Sequence, residues 1–90
     1  MTKQALGILE VRGLAAVIAA ADTAAKTAGV TILGYEQTKG SGLAVLKISG
    51  EVSAVTAALA AAQEQAARVS TVFASRVIAR PHTELASYLN

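Results

Sequence analysis

The spacing of apolar residues switches between two periods along this chain. From Ala5 to Arg12 it alternates, with Leu6 and Ile8 on one side and Leu9 and Val11 on the other. That pattern predicts a strand buried on both faces for part of its length. From Leu14 to Ala28 the period becomes helical. Leu14, Val17, Ile18, Ala21, Ala25 and Ala28 share one stripe, while Asp22, Thr23 and Lys26 fall elsewhere. Asp22 precedes Lys26 by one helical turn, the favourable order for an ion pair, and Gly29 is placed as a C-terminal cap.

Alternation resumes in Val30–Thr38 and again in Gly42–Ser49, predicting two further strands. Between them Lys39-Gly40-Ser41-Gly42 predicts a tight connection, because its glycines permit positive φ and Ser41 is small and polar. A second helix is expected over Glu51–Arg68. Its stripe is Val52, Val55, Leu59, Ala62 and Ala66, with Gln63, Glu64 and Arg68 on the polar side and Glu51 near the positive end of the helix dipole. Thr71–Ala79 reads as a fourth strand, ended by Pro81, which cannot donate to a ladder. Thr83–Leu89 has room for two helical turns with Leu85, Tyr88 and Leu89 on one side. The order β-α-β-β-α-β predicts an α/β (α+β) fold of the ferredoxin-like type, with a four-stranded antiparallel sheet and a short C-terminal helix. Residues 1–90 read as a single domain with no linker or low-complexity segment.

Composition adds one expectation to this picture. Apolar residues make up 53% of the 90 positions but aromatics only 3%, namely Tyr35, Phe73 and Tyr88. Alanine-rich helices pack closely but bury little area per residue. A core this small often gains further stability by oligomerising. Eight basic and six acidic residues give a net charge of +2, and the cations are scattered, without the clustered stripe of a nucleic-acid surface. With no cysteine there is no disulfide, thiol nucleophile or thiolate metal site. Met-Thr-Lys-Gln lacks the apolar segment of a signal peptide, and Gly13–Ala21 is about half a membrane span, so a soluble cytosolic protein is expected.

The candidate chemistries mostly fall away. The chain has one histidine, His82, beside Pro81, and its carboxylates are dispersed over different elements. Neither a catalytic constellation nor a metal-ligand spacing can be drawn, so no enzymatic activity, metal or cofactor is expected. Gly40-Ser41-Gly42 is followed by a strand instead of a helix and lacks the phosphate-loop lysine pattern. The first and third strands carry no stacking aromatics for RNA. A binding or assembly module remains.

Several segments, taken in order, carry a resemblance. They are Ala5-Leu6-Gly7-Ile8-Leu9-Glu10-Val11-Arg12-Gly13-Leu14, Ala20-Ala21-Asp22, Lys26 and Val30-Thr31-Ile32-Leu33-Gly34-Tyr35-Glu36. The set continues with Gly40-Ser41-Gly42, Gly50-Glu51-Val52 and Arg80-Pro81-His82-Thr83. Together they resemble the single-domain, hexamer-forming shell proteins of bacterial microcompartments, the family of carboxysomes and of the propanediol- and ethanolamine-utilisation organelles. The likeness spans about Ala5 to Glu84.

The resemblance implies a cyclic hexamer that tiles edge to edge, with other hexamers and shell paralogues, into the facets of a protein shell. The connection between the second and third strands then lines a central pore for small metabolites. Carried onto this chain, the pore-lining residues are Lys39, Gly40, Ser41 and Gly42. The hexamer-edge contacts are Lys26, Arg80, Pro81 and His82. Relatives commonly place two residues between the glutamate matching Glu36 and the Gly-Ser-Gly, whereas this chain has three, Gln37-Thr38-Lys39. A second reading of the same glycines is a small-molecule-sensing βαββαβ regulatory domain, which binds its ligand between the subunits of a dimer or trimer.

Overall fold

β1, Ala5–Arg12, is the strand the others flank, and it bonds antiparallel to a neighbour on each side. A computed structural model describes residues 4–88. After β1 come α1 (Leu14–Ala25), β2 (Val30–Gln37), β3 (Leu43–Gly50), α2 (Val52–Val69) and β4 (Val72–Ile78), and a 3-10 helix over Thr83–Tyr88 closes the described chain. The four strands form one antiparallel sheet in the order β2-β3-β1-β4. The predicted fold class and element order are those observed. Leu89 and the side chain of Tyr88 lie outside the described residues.

Register explains why one face of the sheet is the core. Leu9 lies opposite Leu46, Val11 opposite Ala44 and Gly7 opposite Ile48, so these residues share a face. On that face they meet Val17, Ala20 and Ala24 of α1 and Val55, Ala58, Leu59 and Ala62 of α2. Both helices therefore cover the same side. The larger buried side chains, Leu9, Leu46, Ile48, Val11, Val17 and Val55, each contribute roughly 1.5–3 kcal/mol by leaving water, and an alanine well below that.

The helical stripe of α1 differs from the expectation. Its buried residues are Ala16, Val17, Ala20 and Ala24, with Ala21 partly buried, while Leu14 and Ile18 are 45% and 47% exposed. Two helices must fit side by side over four strands, and the small alanines permit that approach where Leu14 and Ile18 would not. The helix also stops at Ala25, before Ala28, and its C-terminal cap is Lys26, not Gly29. The chain has only residues 26–29 in which to reverse into β2. In α2 the expected Val52 sits at the outer end, largely exposed, and Ala58 takes part in the core.

Each edge strand carries a bulge. Ile32 pairs with Ile48 and Gly34 with Lys47, leaving Leu33 as the extra residue of β2. In β4, Phe73 is the extra residue between Val72, opposite Val11, and Ala74, opposite Glu10. Leu33 and Phe73 are both turned out to the surface, and the Arg12 guanidinium lies 5.4 Å from the centre of the Phe73 ring. Such bulges twist an edge away from uncontrolled strand pairing.

The register also sorts the loops between two ends of the sheet. Ala5 lies opposite Gly50, Val30 opposite Gly50 and Leu6 opposite Ile78. The turn before β2, the start of α2 and the exit from β4 therefore share one end. Arg12 lies opposite Leu43, and its N–H donates to the Thr71 carbonyl at 2.9 Å. The β2–β3 connection, the start of α1 and the entry to β4 share the other end.

Candidate functional site

The β2–β3 connection is held by its main chain. The Thr38 N–H and the Thr38 hydroxyl both donate to the Leu43 carbonyl, at 2.9 and 3.0 Å, closing residues 39–42 into a loop. Thr38 belongs to the Gln37-Thr38-Lys39 segment between Glu36 and Gly40, and it serves as the closing residue. Gly40 and Gly42 have φ of +82° and +74°, and nothing lies within 4 Å of a Cβ built on either. Within one chain the glycines are thus required by backbone conformation and not by crowding. The Ser41 Oγ accepts the Leu43 N–H at 3.4 Å, which leaves the hydroxyl proton to be donated elsewhere. The Gly13 N–H donates to the Gly42 carbonyl at 2.6 Å, tying the loop to the start of α1. Lys39, Gly40, Ser41 and Gly42 are all exposed.

The remaining predicted residues sit at the opposite end of the sheet. Lys26 caps α1 through its backbone N–H, which donates to Asp22 and Ala24 carbonyls. Its Nζ is 2.9 Å from Asp22 Oδ2, and both side chains are largely in water. Arg80 is exposed, Pro81 is buried and His82 is exposed. His82 Nδ1 accepts the Glu84 N–H at 3.1 Å, and the His82 carbonyl accepts the Leu85 N–H at 2.9 Å, so His82 opens the 3-10 helix. Lys26 precedes β2 on one edge of the sheet and Arg80 follows β4 on the other. Among the described residues no ion pair or hydrogen bond joins them.

The same end holds a carboxylate that acts as a cap. Glu51 Oε2 accepts the Ser53 hydroxyl and the Ser53 and Ala54 N–H groups, the latter two at 3.0 and 3.3 Å. The Ser53 hydroxyl, with the backbone donors behind it, holds this carboxyl below its ordinary value of 4.5. Sequence alone placed Glu51 in the first turn, whereas it stands just before it, where its side chain reaches unpaired amides. Among the described residues no group of three or more histidine or acidic side chains could hold a metal ion. No helix is long and apolar enough to cross a membrane.

One feature escaped the sequence reading. Lys47 is 6% exposed, on the face of the sheet away from the helices, with Nζ 3.4 Å from Glu36 Oε1. The available signal was a lysine between Leu46 and Ile48 in an otherwise apolar strand, aligned with a hairpin partner reading Gly34-Tyr35-Glu36.

An antiparallel β2-β3-β1-β4 sheet under two helices defines the class of this α+β module, and it sets the glycine loop at one end and Lys26 and Arg80-Pro81-His82 at the other. A family profile described as BMC domain matches residues 5–81. The chain is 48% identical over 79 residues to the bacterial microcompartment shell protein PduK of Salmonella typhimurium, covering 88% of this chain and 49% of PduK. It is 45% identical over 89 residues to the shell protein PduA of Citrobacter freundii, covering 99% of this chain and 95% of PduA. The carboxysome shell protein CcmK2 of Thermosynechococcus vestitus is 45% identical over 83 residues, 90% of this chain and 80% of CcmK2. A crystal structure of a microcompartment protein from Desulfitobacterium hafniense superposes with a TM-score of 0.84 at 34% identity, over 94% of this chain and 48% of that one. The chain belongs to the BMC domain family. It spans about half the length of its PduK relatives and nearly all of PduA.

Proposed function

We propose that this chain is a structural, non-enzymatic shell protein of a bacterial microcompartment, in which residues 1–90 act as one shell domain. Six copies form a ring with the Lys39–Gly42 loops at its axis, and rings meet other rings and shell paralogues through Lys26, Arg80, Pro81 and His82. The shell stands in the bacterial cytoplasm, and small metabolites cross it through the ring.

The observation that carries this reading is the separation of the two residue sets to opposite ends of the sheet. A tile needs one end at its axis and the other at its rim. The loop end presents main-chain groups and the Ser41 hydroxyl, a polar constriction able to pass small solutes without retaining them. The rim end presents exposed charges on both sheet edges, suited to contact with a neighbouring ring. Two facing Lys26 ammonium groups repel, so that contact relies on alkyl stems and on carbonyl acceptors.

The test is the native mass of the purified protein, with electron microscopy of the same sample at low salt. A hexamer forming flat hexagonal arrays is expected. A dimer or trimer without arrays, binding one metabolite tightly, would replace the shell with the ligand-sensing module.

A further inference from the structure

Lys47 lies two strands in from one edge of the sheet, on the face that no helix covers, and is buried there. A buried ammonium is strongly unfavourable without a counter-charge. Two carboxylates are placed to supply one. On β3 the residue sharing this face next to Lys47 is Val45, and Val45 lies opposite Glu36 on β2 and opposite Glu10 on β1. Both acids are therefore diagonal neighbours of Lys47.

The residues directly opposite decide between them. On the β1 side Lys47 faces Ile8, a branched side chain that fills the position opposite it. On the β2 side it faces Gly34, which has no side chain. The lysine stem lies across that gap, and Nζ reaches Glu36 Oε1 at 3.4 Å. Gly34 follows the Leu33 bulge, so the bulge sets the register that puts glycine opposite lysine.

Glu36 is two residues before Thr38, which closes the loop. At about 3.3 Å per residue it is roughly 7 Å behind the loop, inside the screening length of about 10 Å at 0.1 M salt. Its side chain is 65% exposed, and with Gln37, Thr38 and Val45 it lines a cleft of 380 Å³. A solute approaching the loop from this face meets that carboxylate first.

We propose that Lys47 is a positioning residue that holds Glu36 against β3 and cancels its charge, keeping the approach to the loop from becoming a cation-selective ring. This rests on the reading of Lys39–Gly42 as a pore. With Glu36 neutralised, the charge nearest the axis is that of Lys39, and the passage favours neutral and anionic solutes. Without Lys47, six bare carboxylates face the passage and the preference reverses.

The experiment places a sheet of rings across an aperture and reads the reversal potential in a potassium chloride gradient. Lys47→Met keeps the apolar stem and removes the charge, and the Glu36 carboxylate it leaves behind is exposed, so no buried charge is left unpaired. It is expected to raise the potassium-to-chloride permeability ratio about threefold at about 10 mM salt, less as salt rises. Adding Glu36→Gln should return the ratio to that of the unaltered protein, which repacking alone would not do. An unchanged ratio in Lys47→Met, or a double variant that stays with the single one, overturns the proposal. Hydrogen exchange gives an independent readout. Lys47→Met should speed exchange at the Thr38 amide severalfold by releasing Glu36 and loosening the loop root, and an unchanged rate overturns the positioning role. If sheets of the unaltered protein carry no current, the pore reading fails, and the exchange measurement still decides whether Lys47 positions Glu36.

Discussion

The two ends of the sheet are built by different means. At the loop end the backbone does most of the work. Thr38 closes on Leu43, Gly13 bonds to Gly42, and two glycines adopt positive φ with open space around them. At the opposite end side chains and close packing hold the structure. Glu51 caps α2, Pro81 is buried, His82 opens the last helix, and Gly50 sits against the Gly29 carbonyl. The comparison teaches that a glycine can be needed for two unrelated reasons in one small molecule. Substitution at each end should therefore fail differently.

The largest effect is expected at Gly50. A Cβ there would lie 2.2 Å from the Gly29 carbonyl oxygen, so Gly50→Ala must move the turn before β2. A loss of about 3 kcal/mol in denaturant unfolding is expected, in the range of severe packing conflicts. Gly42→Ala meets no neighbour and should cost only the left-handed conformation, about 1–2 kcal/mol, with the ring retained. Equal losses at the two glycines would erase the distinction between the ends.

Smaller effects come from the charged groups at the end of the sheet that holds Lys26. The Glu51 carboxyl is held below its ordinary value of 4.5 by the Ser53 hydroxyl and backbone donors. A lowered folded value means that its contribution is complete above the unfolded value and disappears as pH falls through the folded one. Glu51→Gln should therefore flatten the pH dependence of stability below about pH 4.5 and leave neutral pH less affected than a lost fold would. A profile parallel to that of the unaltered protein would remove Glu51 as a titrating cap. The smallest effect on stability belongs to Lys26→Ala, because its pair with Asp22 is exposed. Unfolding should shift by no more than about 0.5 kcal/mol, while hexagonal arrays are lost and the isolated ring remains. Arrays of ordinary order would take Lys26 out of the ring-to-ring contact.

Much of this molecule was legible in its sequence, for reasons particular residues make plain. The strands were found because Leu9, Val11, Leu46 and Ile48 alternate strictly, and the loop because Gly40 and Gly42 admit the positive φ that a tight connection needs. The stripe of α1 was misread because Leu14 and Ile18 are its largest apolar residues. Size suggested burial, but the alanine face was needed for packing beside α2. The Lys47–Glu36 pair was missed because it depends on the register of two strands and on a bulge at Leu33, neither of which periodicity encodes. The separation of the two candidate residue sets is likewise a property of strand pairing, not of spacing along the chain.

The central claim, that the β2–β3 loop stands at the axis of a ring and Lys26 at its rim, has one direct test. The chain contains no cysteine, so Ser41→Cys and Lys26→Cys each offer a single labelling site. Spin labels on each variant report the distances between identical positions in the assembled oligomer. The account predicts that Ser41 labels cluster well within the 34 Å length of one subunit, while Lys26 labels on opposite subunits lie farther apart than that length. Lys26 labels as close together as Ser41 labels, or closer, would contradict it.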